Sequence, residues 1–218
     1  MTRKTVKGGG GRLVGQDSRV LTGQLLSQRA AVPDHSEQLA LSPWGAYGGD
    51  VSNNTGYGQN LRLMFLPELK NEFRPAYARL RITTTTADRG WFIAAAIYRF
   101  SFRDTGGSAG FSKVPGTDAL FLAESTGVKT VPITQQNIND GTVLTSGIQY
   151  FLGAFVSSSS IGVVTDANTS SRVIPVTTAV MAASHSLPRS VAVTQTTKSY
   201  ASAVPWIVYL SRVGAEIL

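Results

Sequence analysis

The chain changes its pattern of hydrophobic and polar positions near residue 60. Upstream it is rich in Gly, Pro, Ser and Asn, and the four consecutive glycines at 8–11 do not suit a regular element. Residues 18–30 have leucines at the spacing of a short amphipathic helix, which Gly23 interrupts. The pattern predicts an N-terminal arm over residues 1–60 and a β domain over residues 61–218.

From residue 61 onward, short runs of branched and aromatic residues alternate with clusters of turn residues such as Pro115-Gly116. Residues 78–84 alternate strictly between apolar and polar positions, which indicates a strand with one face in the core and one in water. Residues 90–98 are apolar on both faces, which is typical of a central strand covered twice. Strands are predicted over residues 61–66, 77–85, 91–102, 119–124, 128–133, 148–157, 161–164, 172–179, 190–194 and 206–212.

This succession of strands without intervening helical patterns predicts an all-β fold: an antiparallel β-sandwich of jelly-roll type with an extended, mostly irregular N-terminal arm. We expect a second sheet to cover one face of residues 90–98 and a partner subunit of a homotrimer to cover the other. Large side chains in the central strands are therefore expected in the core or the trimer contact, namely Trp91, Ile93, Ile97, Tyr150, Phe151 and Phe155.

Composition excludes several kinds of chemistry. The chain has no Cys, which removes disulfides, thiolate catalysis and Cys-ligated metal sites, and its two histidines, His35 and His185, are too distant in sequence to form a spaced metal motif. We therefore expect no metal and no cofactor. The sequence has no apolar stretch of the kind found in a signal peptide or a membrane span, so we expect neither a signal peptide nor membrane insertion.

The net charge of +7 is concentrated at the N-terminus. Residues 1–30 carry six basic residues against Asp17, a net charge of +5, and the other 188 residues carry only +2. Two interpretations stay open: a basic peptide that docks on an acidic protein surface or a phosphate backbone, or a solvated tail. The docking candidates are Arg3, Lys4, Lys7, Arg12 and Arg19.

The arm also carries aromatic residues in Gly-rich surroundings, namely Trp44, Tyr47 and Tyr57. Aromatic rings in a long arm commonly anchor it to a neighbouring body or subunit, and the same rings can stack on the apolar faces of sugars. We favour the anchoring role and include the three residues among the candidates for attachment.

Six segments of the β domain carry turn and strand signatures: AAAIYR at 94–99, VPGTDALFLAE at 114–124, GVKTV at 127–131, LTSGIQYFLG at 144–153, LPRS at 187–190 and PWIVYL at 205–210. In this order they resemble a β-sandwich module of tail fibres, tail spikes and related virion proteins of tailed bacteriophages. The resemblance covers roughly residues 60–212 and departs from the family at Phe151, where Trp is frequent. Its signatures identify a fold and name no catalytic residue.

The resemblance implies a structural virion protein, made in the host bacterial cytoplasm and assembled into the particle beside other virion proteins. Two roles stay open. A tail fibre or receptor-binding protein would dock its arm on the tail and present the sandwich to a host surface glycan. A capsid decoration, cement or head-fibre protein would spread its arm over the shell. Receptor binding predicts aromatic residues in exposed distal loops, for which Phe111 and Tyr200 are candidates.

Two further classes of function are less well supported by the sequence. We expect no enzyme, because the acids are scattered and the conceivable pair for glycan hydrolysis, Asp104 and Asp118, fits turn positions better. The pI of about 9.9 suggests nucleic-acid binding as a further function. However, the body is almost neutral and the basic residues at 1–12 are not interleaved with aromatics. Nucleic-acid binding is therefore the lower alternative.

Overall fold

The computed structural model describes residues 40–42, 52–54, 60–87, 89–101, 109–133, 142–167, 174–180, 184–201 and 203–212. Every described residue belongs to one compact unit, Gln38–Leu218. Almost all regular structure in the described residues is strand, and Val193–Gln195 form a short 3-10 helix.

The described residues contain fifteen strands. In chain order they are β1 (Ala40–Leu41), β2 (Ser52–Asn54), β3 (Asn60–Phe65), β4 (Tyr77–Thr84), β5 (Phe92–Ser101), β6 (Gly110–Lys113), β7 (Ala119–Leu122), β8 (Gly127–Pro132), β9 (Tyr150–Val156), β10 (Gly162–Ala167), β11 (Ile174–Val180), β12 (Ser190–Ala192), β13 (Thr196–Ala201), β14 (Ala203–Pro205) and β15 (Val208–Leu210).

Among the described residues these strands make two antiparallel sheets. Sheet A has the order β1-β15-β4-β10-β14, with β2 also paired to β10 and β8 also paired to β4. Sheet B has the order β12-β6-β5-β9-β3-β11-β13, with β7 also paired to β5. The longest strand, β5, lies inside sheet B between β6 and β7 on one side and β9 on the other.

The two sheets pack face to face over a shared apolar core. Strand β4 of sheet A contributes Ala78, Leu80 and Ile82, and strand β5 of sheet B contributes Ile93 and Ile97, all of them buried. Burying a large aliphatic side chain stabilises the folded state by about 1.5 to 3 kcal/mol, so the strict alternation of β4 is sufficient to orient this strand. The described residues therefore form an all-β sandwich.

Each of the ten predicted strands overlaps a strand of the structure. The sequence missed β6, β13 and β14 among the later strands. Strand β6 has four residues, β13 is composed mostly of Thr, Ser and Lys, and β14 ends in Pro205. Such short or polar segments become strands through pairing with a neighbour, and their own hydrophobic pattern does not reveal them.

Two short strands lie within the segment predicted as an irregular arm. Strand β1 pairs with β15 and buries Leu41 in the core, and strand β2 pairs with β10. Sheet A therefore begins before residue 60, because segments of two or three residues are too short to display a period in the sequence. The helix predicted over residues 18–30 lies outside the described residues.

Candidate functional site

The predicted attachment residues cannot be placed in the fold. They all lie outside the described residues: Arg3, Lys4, Lys7, Arg12, Arg19, Trp44, Tyr47 and Tyr57. The docking role of the arm therefore stays a prediction from charge and composition.

The doubly apolar strand β5 is buried on both faces by residues of the same chain. Its inner face packs against sheet A, and its outer face belongs to a second buried cluster, which we call the outer cluster. Outer-face residues of β5 such as Phe92 and Tyr98 are at most 6% exposed. The members of the outer cluster are Leu61, Leu63, Phe92, Ala94, Ala96, Tyr98, Phe111, Phe155, Ala179, Leu187 and Val191.

A connecting segment, residues 184–189, lies over part of this outer face, and we call it the strap. The buried side chain of Leu187 joins the outer cluster, and the hydroxyl of Tyr98 donates a hydrogen bond to the carbonyl of Pro188 at 2.7 Å. The ring of His185 lies against that of Phe92, with centroids 4.2 Å apart. The strap thus supplies cover for the outer face of β5 from within the chain.

This cover corrects one expectation from the sequence. A strand apolar on both faces predicted a partner subunit over one face, but the chain's own strap and neighbouring strands bury that face, so its apolarity is no argument for a trimer. The residues expected in the core or trimer contact are distributed as follows: Ile93, Ile97 and Tyr150 are buried in the inner core, Trp91 packs partly buried against it, Phe155 is buried in the outer cluster, and Phe151 packs partly buried against that cluster.

Polar groups join the turn that follows β6 to the strap, to β5 and to β15. The ammonium of Lys113 donates to a carboxylate oxygen of Asp118 at 2.7 Å and to the carbonyl of Leu187 at 3.0 Å. The buried hydroxyl of Thr117 accepts from the backbone N–H of Ile97 at 3.0 Å, and the hydroxyl of Tyr209 donates to the carbonyl of Thr117 at 2.8 Å. Because Thr117 is fully buried, these bonds satisfy groups that water cannot reach.

The electrostatics of this network keep its tyrosines neutral. Burial, and secondarily the negative charge of Asp118, raise the pKa of Tyr98 well above its ordinary value. Burial raises the pKa of Tyr209 in the same way, with smaller contributions from Asp118 and Tyr98. Each tyrosine hydroxyl donates to a backbone carbonyl, so the two tyrosines act as structural hydrogen-bond donors.

Phe111 does not lie in an exposed loop, as the sequence predicted for a glycan contact. It lies on β6, is only 5% exposed, and makes edge contacts with Phe100 and Phe151 at centroid distances of 5.2 and 5.0 Å. Pairing of β6 between β5 and β12 buries it in the outer cluster. Phe65, which sequence reasoning missed, is 37% exposed and adjoins Phe151 at 5.4 Å. Tyr200 lies on β13, in register with Pro175, and its side chain is not among those described.

The outer face of sheet A carries exposed positive charge. The alternation of β4 buries Ala78, Leu80 and Ile82, so Arg79 and Arg81 lie on the opposite face. On strand β8, Thr130 is in register with Arg79 and Val128 is in register with Arg81. The Nε of Arg79 donates to the Thr130 hydroxyl at 3.0 Å. The alternating pattern of residues 78–84 was the sequence signal for this face.

The described residues hold no group of three or more His, Cys, Asp or Glu side chains that could bind a metal ion. Asp118 forms an ion pair with Lys113, and Asp104 lies outside the described residues. In the part of the chain that the structure describes, no helix is long and apolar enough to span a membrane.

Comparisons with known proteins return no match. No protein-family model matches the chain, and neither a curated protein nor a solved structure does so. The fold and the placement of the described residues therefore define the chain at the level of an all-β sandwich.

Proposed function

We propose that this chain is a structural protein of a tailed-bacteriophage virion, and within that class a tail fibre or receptor-binding protein. Its basic N-terminal arm attaches it to the particle, and its sandwich presents a surface to a host glycan. The observation that carries the proposal is that the segments with the virion-module resemblance, which are scattered over more than a hundred residues, fold into one sandwich. Four of them lie in or against strand β5 of sheet B, and GVKTV and PWIVYL form β8 and β15 of sheet A.

The contacts between these segments can be described one pair at a time. The segment AAAIYR lies within β5 itself, β7 from the Pro-Gly segment pairs with its first half, and β9 pairs along most of its length. The segment LPRS lies in and beside the strap that accepts the Tyr98 hydrogen bond. The segment PWIVYL supplies β15, whose Tyr209 bonds to Thr117 of the Pro-Gly segment. Segments that form one packed unit support the resemblance better than separate matches would.

The pairing of distant strands supports the finer assignment to a jelly roll. Strand β1 pairs with β15 at the other end of the described chain, and β5 pairs with β9 across the intervening β6, β7 and β8. Long-range antiparallel pairing of this kind is what successive Greek keys produce. We propose the jelly-roll topology on this ground.

A homotrimer remains part of the proposal, but its support comes from the resemblance alone, since the strap already covers β5. Light scattering on the purified chain at micromolar concentration tests it. A mass of three chains is expected, and a mass near 23 kDa, the mass of one chain, would contradict the trimer.

Removal of residues 1–30 tests the attachment role of the arm. Because this segment carries +5 of the net charge and precedes every described strand, we expect the shortened chain to keep its unfolding transition and to be lost from particles. The control replaces Arg89 and Arg189, exposed arginines of the sandwich, with Gln, and should be incorporated normally. Normal incorporation of the shortened chain would contradict the role.

The same particles separate the remaining alternatives. Gold-labelled antibody at the tail supports the receptor-binding role, and label spread over the head supports capsid decoration or a head fibre. A steeply salt-dependent shift of DNA by the purified protein would favour nucleic-acid binding instead.

A further inference from the structure

The outer face of sheet A around strand β4 has the properties of an anion-binding surface. Arg79 and Arg81 are two residues apart on one strand and therefore extend from the same face, with their Cα atoms about 7 Å apart. Both lie on the face opposite the buried Leu80, and the side chain of Arg81 is exposed. Two neighbouring guanidinium groups on one face of a sheet form a local positive charge.

Among the described side chains, no carboxylate forms an ion pair with these two arginines. Strands β4, β8 and β15 contain neither Asp nor Glu, and β10, which also pairs with β4, contains Asp166, whose side chain is not among those described. The ion pairs among the described residues join Arg74 to Glu72 and Lys113 to Asp118, away from β4. The positive charge of Arg79 and Arg81 therefore has no carboxylate partner among the described side chains.

A hydrogen bond to Thr130 orients the guanidinium of Arg79 and leaves donors for a ligand. Its Nε donates to the hydroxyl oxygen of Thr130 across the β4–β8 pair, at 3.0 Å. This bond uses one of the five N–H donors of the guanidinium and leaves the terminal nitrogens for another acceptor. The Thr130 oxygen accepts from Arg79 and keeps its own proton to donate. The surface therefore offers donors and positive charge, which match a ligand rich in oxygen acceptors and negative charge.

We propose that this face of sheet A binds an acidic polysaccharide, through carboxylate groups that contact Arg79 and Arg81 and a sugar oxygen that accepts from Thr130. The inference rests on the proposed glycan-binding function and narrows its ligand to carboxylated sugars. A nucleic acid fits less well, because Tyr77 is the one aromatic residue of strands β4 and β8, whereas single-strand binding surfaces stack successive bases on several rings. Arg–carboxylate contacts are charge-assisted and can be bidentate, which gives the preference for acidic sugars.

The test uses the full-length chain and polygalacturonate, with neutral dextran and single-stranded DNA as comparison ligands. The double variant Arg79→Gln/Arg81→Gln is expected to bind polygalacturonate about tenfold more weakly than the wild type. The charge-matched control Arg89→Gln/Arg189→Gln lowers the charge equally on exposed residues outside sheet A and should bind nearly as well as the wild type. Because all three chains keep the basic arm, its non-specific attraction for polyanions cancels in the comparison.

Three results would overturn the proposal: equal weakening in both double variants, equally tight binding of dextran by the wild type, or tighter binding of DNA that only Arg79→Gln/Arg81→Gln removes. Unfolding curves of both variants establish that they are folded. Failure here leaves the virion role open, because particles can still carry the chain and adsorb through another surface. Conversely, absence of the chain from particles would contradict the proposed function whether or not the chain binds polygalacturonate.

Discussion

Replacement of Gly153 with Ala should destabilise the sandwich by placing a methyl group against the ring of Tyr98 in the outer cluster. Gly153 lies on β9 between Leu63 of β3 and Ala96 of β5. A Cβ at this position would lie 2.5 Å from Cε2 and 2.8 Å from Cδ2 of Tyr98. Favourable carbon contacts lie near 3.5 to 4.0 Å, so the ring would have to move by about 1 Å.

The surroundings of Tyr98 oppose that movement. The side chain is fully buried, and its hydroxyl is fixed to the carbonyl of Pro188 at 2.7 Å. Overpacking of a close-packed core costs typically 1 to 3 kcal/mol, and the fixed ring places Gly153→Ala near the upper end, at about 2 to 3 kcal/mol. The loss should appear as a lower midpoint of denaturant unfolding, followed by tryptophan fluorescence, without a change in slope.

A double-mutant cycle isolates the cause. In a Tyr98→Leu background the ring is absent, so Gly153→Ala should cost less than about 1 kcal/mol there. The reasoning is refuted if Gly153→Ala costs under about 0.5 kcal/mol in the wild type, or if its cost is the same in the Tyr98→Leu background.

Three further predictions concern the polar network around the turn that follows β6. Because the pKa of Tyr98 and of Tyr209 is raised, the folded chain keeps protons that the unfolded chain loses above about pH 10. The contribution of these tyrosines to the unfolding free energy should therefore be constant below that pH and be lost as the pH rises above it. Tyr98→Phe should make this alkaline fall shallower in denaturation curves, and an unchanged slope would count against the assignment. Lys113→Met leaves the Asp118 carboxylate without its partner and should lower the unfolding free energy by about 1 to 2 kcal/mol. Adding Asp118→Asn should restore part of this loss, and no recovery would mean that the broken ion pair is not its cause. Thr117→Val removes the acceptor of a buried N–H and should cost about 2 kcal/mol by the same assay, whereas a neutral effect would show that the hydroxyl is dispensable.

The strands with a clear period could be predicted from the sequence, because burial alone orients them. In β4 the alternation of Leu80 and Ile82 with Arg79 and Arg81 predicted both the buried and the exposed face. In β5 the same logic identified a strand without an exposed side. The hydrophobic pattern is therefore sufficient to predict which faces of these two strands form the core of the sandwich.

Other features depend on distant contacts that no local pattern contains. The sequence indicated that β5 needed cover on both faces, but not that the cover comes from a strap ninety residues away, fixed by the bond from Tyr98 to Pro188. Phe111 was expected in an exposed distal loop as a residue that would contact a receptor. Its burial follows from pairing with β5 and β12, which only the assembled sheet provides. The bond from Arg79 to Thr130 likewise exists only because β8 pairs with β4.

The virion assignment is tested most directly by the protein content of purified particles. Phage particles from a lysate in which this chain is made are banded by density and quantified by mass spectrometry, with the shortened chain lacking residues 1–30 as the matched control. The account predicts that the full chain bands with the particles at a fixed ratio to the other virion proteins and that the shortened chain stays in the soluble fraction. Particles that band without the full chain would contradict it.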